Sequence, residues 1–270
     1  MAVPGLYETL VVTGDAGVLT VTLSRPAARN AMSLQMVDEL VAVLAWAEAA
    51  GDVRAIVLRG AGGHFCAGAD LQDMAQARER EMAGDTHAIA AANARFGVLC
   101  GAWARTGIAT VAVLEGTVMG GGLGLACVVD VALAGRGAQL RLPETSLGVV
   151  PAQIAPFLVE RVGASQARRL AVTGGKLGAS QALAIGLVHE VHDDGAALDD
   201  ALAAVLAQVL RCAPRAIAAT KALMARAQHA PAAALVDDAA QVFAAAARGP
   251  EAIEGMTAFL QKRVPSWAPQ

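Results

Sequence analysis

Aromatic side chains make up only 3% of the 270 residues, and charged ones only 17%. The net charge is −3, and the basic residues form no stripe or cluster of the kind that would bind nucleic acid or an anionic membrane. No apolar run reaches the ~18 residues needed to span a bilayer before Gly or a charge breaks it. The four cysteines, Cys66, Cys100, Cys127 and Cys212, are widely spaced and contain no CxxC pair. The N-terminus (MAVPGLYETL) lacks a basic segment followed by an apolar one, so no signal peptide is expected and the thiols read as reduced and cytoplasmic. What is abundant is aliphatic: 56% of the chain is hydrophobic, and alanine dominates. Ala gives up no side-chain entropy on entering a helix, so the composition favours helices. The length suits one large domain, or a core with a small appendage.

Residues 6–12 and 17–23 are β-prone runs separated by Gly14-Asp15-Ala16-Gly17, which reads as a hairpin. Ser33 is placed to cap a helix whose Met36, Val37, Leu40, Val41 and Leu44 recur at helical spacing, with Gly51 ending it. Ala55–Leu58 reads as a buried strand. A glycine-rich loop, residues 60–70, follows and leads into polar helical sequence. Thr110–Leu114 reads as another strand, then comes a second glycine-rich turn (119–124), a short helix from Leu123 to Val128, and a strand Val129–Ala134. From about 152 onward the pattern is almost wholly helical, punctuated by Gly and Pro. Strand–loop–helix units first and helices afterwards imply α/β architecture, with residues 1–200 as the core and 201–270 as a helical C-terminal region.

The two glycine loops each connect a strand to a helix. A helix N-terminus offers N–H groups without intrahelical partners and the positive end of the dipole, which together attract anionic oxygen. Tight connection alone would also explain such loops. Other glycine motifs are excluded. Gly122-Leu-Gly124-Leu-Ala126-Cys127 ends on the wrong residue for a dinucleotide fingerprint, no Lys-Ser/Thr follows as a P-loop requires, and no G-x-S-x-G occurs.

An ordered set of segments is more specific. Leu23-Ser-Arg-Pro-Ala-Ala-Arg-Asn-Ala-Met-Ser33, Phe65-Cys-Ala-Gly-Ala-Asp-Leu71, Leu114 to Ala126 with Asp130, Leu142-Pro-Glu-Thr-Ser-Leu-Gly148, Arg161-Val-Gly to Arg169-Leu, and Phe259-Leu-Gln-Lys-Arg-Val-Pro resemble, in that order, the enoyl-CoA hydratase/isomerase (crotonase) superfamily. The resemblance covers nearly the whole chain. It implies a spiral of ββα units with a helical C-terminal trimerisation region, giving a homotrimer or dimer of trimers. It also implies an acyl-CoA substrate, coenzyme A being part of that substrate, with no metal or redox cofactor. Carried over, the oxyanion donors would be the N–H groups of Ala69 and Gly121. Proton transfer beside a thioester drives charge onto its carbonyl oxygen, and preorganised donors in a dry site can lower such a barrier by roughly 3–4 kcal/mol each. Around them Ala67, Gly68, Asp70, Leu71 and Gly120 fall in the substrate-binding loops, with Asp70 also suited to capping a helix start. Arg25, Ala28, Arg29, Lys262 and Arg263 fall in segments that in the family meet the coenzyme A moiety, although a solvated charge is nearly as good a reading for any one of the basic residues.

Hydratases of this family carry two glutamates that hold the added water. Here Glu144 matches the second, and Gly124 stands where the first would fall. Set in a fairly apolar stretch, Glu144 would have a raised pKa suited to proton transfer. A single carboxylate suffices for an isomerase that moves a proton from C2 to C4. It also suffices for hydration if one group both takes and returns the proton, with Gln153 as a candidate for the missing hydrogen bonds. Val118 to Cys127 and Gly148 to Phe157 resemble a branch of hydratases acting on branched glutaconyl-CoA esters (methylglutaconyl-CoA, isohexenylglutaconyl-CoA). Members of that branch resemble this chain in having a small residue at the Gly124 place, which favours hydration. A third reading is a CoA-ester-binding protein that has lost its chemistry. Among weaker signals, His189-Glu-Val-His192 reads as a surface turn rather than a metal site, His64 as a solvent-facing neighbour of the first loop, and Cys66 as a small buried residue.

Overall fold

The computed structural model describes residues 5, 7–193 and 195–269. In chain order the elements are β1 (Leu10–Asp15), β2 (Val18–Leu23), α1 (Leu34–Ala50), β3 (Ala55–Gly60), α2 (Leu71–Met82), α3 (Ala88–Arg105), β4 (Ala109–Leu114), β5 (Thr117–Met119), α4 (Gly121–Val128) and β6 (Val131–Gly135). There follow β7 (Gln139–Arg141), α5 (Ala155–Thr173), β8 (Lys176–Gly178), α6 (Ala179–Ala184), β9 (Glu190–His192), α7 (Gly195–Arg211), α8 (Pro214–Ala227), α9 (Val236–Arg248) and α10 (Pro250–Leu260).

The expected hairpin is present but begins later. Ala16 and Gly17 both have positive φ (45° and 82°), so the loop contracts to two residues and Gly14 and Asp15 join the strand. Two left-handed residues match the right-handed twist of the flanking strands, which an ordinary right-handed two-residue turn would splay. Leu6, where the first run was expected to start, lies outside the described residues. Ser33 caps α1 by accepting the N–H of Met36 (3.2 Å), and Gly51 ends it in a left-handed conformation.

Strand order in the main sheet is β1-β2-β3-β4-β6-β9; β1 and β2 are antiparallel and the others pair in parallel. Helices cover both faces, so the central strands are apolar on both sides. Ile56, Leu58, Ala112 and Leu114 pack with α1, α3 and α4, whereas Val57, Val111, Val113 and Leu133 meet Leu198 and Val205 of α7. Helix α7 thus closes one face of the sheet, and its second half falls within the helical region 201–270. Arg54, just ahead of β3, draws in the end of the chain: its guanidinium donates to the carbonyls of Leu210 (3.3 Å), Cys212 (2.7 Å) and Trp267 (2.7 Å).

A second sheet, β5-β7-β8, stands beside the first, and a parallel bridge from Cys66 to Val118 ties the first glycine loop to its edge. Residues after 152 are therefore less purely helical than the punctuation suggests, because β8 and β9 complete the two sheets. In place of the expected surface turn at 189–192, Glu190–His192 forms an edge strand with His189 just ahead of it. His189 is partly buried, and its Nδ1 accepts the N–H of Ala132 (2.9 Å). The strand expected from Val129 starts at Val131, because Asp130 is held by the N–H and hydroxyl of Thr110 and by Lys221 of α8 (2.7, 3.0 and 2.6 Å). Among the described residues no single helix is long and apolar enough to cross a membrane.

Candidate active site

The first glycine loop leaves the carboxyl end of β3, and the second leaves β5 of the smaller sheet, which the Cys66–Val118 bridge sets beside the first loop. The first loop is held from below by Asn30. This residue is fully buried in a left-handed conformation (φ 57°), which Asn tolerates better than most residues. Its Oδ1 accepts the N–H of Arg25 (2.9 Å), and its Nδ2 donates to the carbonyls of Ala61 (2.9 Å) and His64 (2.6 Å). Replacing Asn30 with Ala strands three partly buried backbone groups. We expect a loss of about 3 kcal/mol in denaturant unfolding, since each unsatisfied group costs roughly 1–3 kcal/mol and relaxation recovers part.

Backbone bonds then shape the loop and leave the Ala69 N–H without a partner among the described residues. Ala67 donates to Arg29 O (3.0 Å), Met32 to Gly68 O (2.7 Å), and Asp70 to Met32 O (3.0 Å). Ala69 is skipped by this pattern: it is exposed, and its N–H has no acceptor among the described residues. Asp70 caps α2 through the N–H of Gln72 (2.8 Å) and pairs with Arg25 (2.7 Å). Burial pushes the Asp70 carboxyl up, but the Arg25 hydrogen bond and the Gln72 N–H outweigh it, and the pKa falls below the usual carboxylate range. Arg25 also donates to Ala31 O, so its guanidinium braces the loop. His64 does not simply face solvent. It is partly buried, and its Nδ1 accepts the N–H of Thr117 (3.1 Å), which links the two loops. Cys66 is fully buried, as expected, and burial pushes its thiol up to about 11.

The second loop turns at Gly120, whose φ of 46° and ψ of −115° suit only glycine, and its N–H donates to Arg141 O (3.1 Å). Helix α4 starts at Gly121, two residues before the expected Leu123, because glycine's low helix propensity is overridden by burial: every residue from Gly122 to Val128 is buried. Gly121 becomes the first helical residue, and its N–H has no acceptor among the described residues. At the other end of α4, Arg161 donates to the carbonyls of Cys127 (2.9 Å) and Val129, placing a cation at the negative end of the dipole.

Close approach binds the pieces together. A Cβ on Gly122 would lie 2.7 Å from Cys66 Cβ, and one on Gly68 would lie 3.4 Å from Met119 O. A Cβ on Gly120 would lie 2.9 Å from Glu144 Oε1 and 3.6 Å from Gly68 Cα. Gly68, Ala69, Gly120, Gly121 and Glu144 are therefore assembled at one place. Glu144 opens a short 3-10 turn after β7, and its Oε2 is buried with no hydrogen-bond partner among the described residues. Burial raises its pKa above the ordinary glutamate value.

The space beside Gly124 is apolar. A Cβ there would meet Phe96 Cζ at 3.0 Å and Ile154 Cγ1 at 3.1 Å. Gln153 lies next to Ile154, where its Nε2 donates to Asn93 (2.9 Å) and its Oε1 rests on Gly97 of α3. Phe96 had no sequence signal beyond being a lone ring in an alanine-rich segment. Asn30 carried one in the Arg-Pro-x-x-x-Asn-Ala spacing. Ala28 ends an exposed 3-10 turn near the first loop, and Leu71, the first residue of α2, is 75% exposed. Lys262 is not brought to this cluster within the chain. It follows α10, near Arg263, which is engaged with Glu254 (2.6 Å). Among the described residues no group of three or more His, Cys, Asp or Glu side chains could hold a metal ion.

The family profile described as enoyl-CoA hydratase/isomerase matches residues 13–270. The chain belongs to that family, the crotonase superfamily of enzymes. It is 32% identical to the 2,3-dehydroadipyl-CoA hydratase of Escherichia coli K12 over 262 residues, covering 96% of this chain and 98% of the relative. Among solved structures it is similar to Pseudomonas aeruginosa AtuE, with 53% identity, a TM-score of 0.93, and coverage of 97% of this chain and 100% of the other. An enoyl-CoA hydratase/isomerase from Marinobacter aquaeolei gives the same TM-score of 0.93 at 50% identity, covering 97% of this chain and 100% of the other. The crotonase-like α/β fold with a helical C-terminal region, implied by the ordered motifs, is borne out by these structures.

Proposed function

We propose that the protein hydrates a 2-enoyl-CoA thioester, with the N–H groups of Ala69 and Gly121 on the thioester oxygen and Glu144 moving the proton. The observation that carries this reading is the Glu144 carboxylate, with Oε2 buried and unpartnered among the described residues and Oε1 against Gly120, beside two loops that each present an unpartnered N–H. Water oxygen bonds to C3, and its proton passes to Glu144. The double-bond electrons move toward the thioester oxygen, where the two donors stabilise the enolate. Glu144 then delivers the proton to C2, so H and OH have added across the bond. Gly68 and Gly120 keep side chains away from the thioester, while Arg25, Asp70 and Asn30 hold the first loop in shape. The hydratase names of curated relatives favour hydration.

For the acyl group we propose a branched glutaconyl ester, on the resemblance of residues 118–127 and 148–157 to that branch of hydratases. The site would sit in a homotrimer or dimer of trimers in the cytoplasm. Exposed Phe243 of α9 and Met256, Phe259 and Leu260 in α10 supply an apolar face for contact between copies, and Lys262 belongs to the same C-terminal region. A second reading, isomerisation of a 3-enoyl ester to a 2-enoyl ester, is favoured by one observation: Phe96 and Ile154, not a second carboxylate, stand at Gly124.

A panel of 2-enoyl-CoA esters, including 3-methylglutaconyl-CoA, together with 3-enoyl-CoA esters, separates these readings. We expect loss of the conjugated-thioester absorbance with a mass gain of one water. Appearance of that absorbance from a 3-enoyl ester without a mass change would establish the isomerase, and binding without conversion of any ester would leave a CoA-ester-binding protein.

A further inference from the structure

We infer that Phe96 is a specificity-determining residue, its ring forming the wall of the acyl site along the side-chain-free face of α4. The inference rests on the assignment of Gly121 as a donor to the thioester oxygen. Gly121 and Gly124 lie three residues apart and so share one face of the helix, and neither carries a side chain. The ring runs along this face: Phe96 Cε2 and Cζ are 3.5 Å from a Cβ built on Gly121, and Cζ and Cε1 are 3.0 and 3.2 Å from one built on Gly124. Met32 Sδ (3.7 Å from the Gly121 position) and Ile154 Cγ1 complete the apolar contact.

Burial separates Phe96 from ordinary core residues. Farther along α3, Leu99, Cys100 and Trp103 are fully buried, but Phe96 packs on the core with only part of its surface. An oxygen accepting the Gly121 N–H would bring the carbons bonded to that thioester within reach of the ring. The ring also occupies the place that a side chain at residue 124 would need. It carries no proton-transfer group. Its effect is therefore steric, on the shape of the acyl group next to the reacting carbons, and it leaves the coenzyme A portion untouched.

The test compares wild type with Phe96→Ala and Phe96→Leu, using kcat/KM for a 3-methyl-branched 2-enoyl-CoA and for its straight-chain counterpart. One methylene in an apolar pocket is worth about 10–200-fold in discrimination. Phe96→Ala should therefore change the branched-to-straight ratio by at least about tenfold in either direction, with Phe96→Leu in between and affinity for free coenzyme A unchanged. A uniform fall across both substrates, with the ratio within twofold of wild type, overturns the inference. If Phe96→Ala fails to fold by circular dichroism, Phe96→Leu decides on the same ratio. If the wild type hydrates nothing, the hydratase reading fails by itself. Calorimetric Kd values for butyryl-CoA and 3-methylbutyryl-CoA then carry the test, a shifted ratio supporting the wall and an unshifted one overturning it.

Discussion

Glu144→Gln lowers kcat by about 10²–10⁴-fold, the span usual for loss of a general acid–base group, while affinity for acyl-CoA esters stays within a few fold of wild type. Amide and carboxylate have nearly the same shape, so the contact with Gly120 survives and only proton transfer is lost. Retained turnover on every ester of the panel would remove Glu144 from the mechanism. The same substitution should stabilise the protein near neutral pH. Glu144 has its pKa raised by burial, so the native state holds this proton more tightly than the unfolded chain does. The associated stability is fully present below the ordinary glutamate pKa and is lost as pH rises through the raised native value. Above that value the wild type keeps an ionised, unpartnered oxygen that the variant lacks. We expect a gain on the order of 1 kcal/mol for Glu144→Gln above that range, kept small because the group is only partly buried, shrinking to nothing in acid. Wild-type kcat/KM, which follows ionisation of the free enzyme and needs the ionised form to accept a proton from water, rises through the same raised pKa. A thermal-melt series of both proteins against pH, beside the kcat/KM profile, checks both statements.

Gly121→Pro is the second large effect. Position 121 is the first helical residue of α4, where proline is tolerated because the N–H it lacks makes no intrahelical bond. Gly120 ahead of it has no side chain to clash with the ring. The substitution therefore removes the donor while leaving the helix. Gly121→Ala keeps the donor, and its methyl would stand 3.5 Å from Phe96, an ordinary contact. We expect kcat of the proline variant to fall below that of the alanine variant by about 10²–10³-fold, the size of one oxyanion donor, with unfolding midpoints close to each other. Equal kcat in the two variants would show that the Gly121 N–H does not meet the reacting oxygen.

What could be read from the sequence follows the range of each interaction. Ser33 and Gly51 bound α1 by bonds to neighbours in the chain, so both ends of that helix were visible in advance. Glu144 stood out because its flanking residues are apolar, and burial is what raises its pKa. The short strands β5, β7, β8 and β9 were invisible, since runs of three residues carry no periodicity and owe their form to partners far along the chain. Helix α4 starts early for a similar reason: its glycines are poor helix formers in isolation, and what holds them is packing on Cys66, more than fifty residues earlier. Phe96 shows the limit most clearly. Gly124 marked an unoccupied place in the motif, but only the packing of α3 on α4 reveals which side chain fills it.

Arg54 sets an order of events while the chain is being made. The carbonyls it grips come 156, 158 and 213 residues later, so the guanidinium leaves the ribosome long before any of them exists. At 5–20 residues per second the last acceptor follows about 10–40 s behind. Through most of that interval the charge stays in water, because even the first acceptor, Leu210, comes 156 residues later. The strands that carry both glycine loops are synthesised within it, well ahead of the C-terminal tail that locks them.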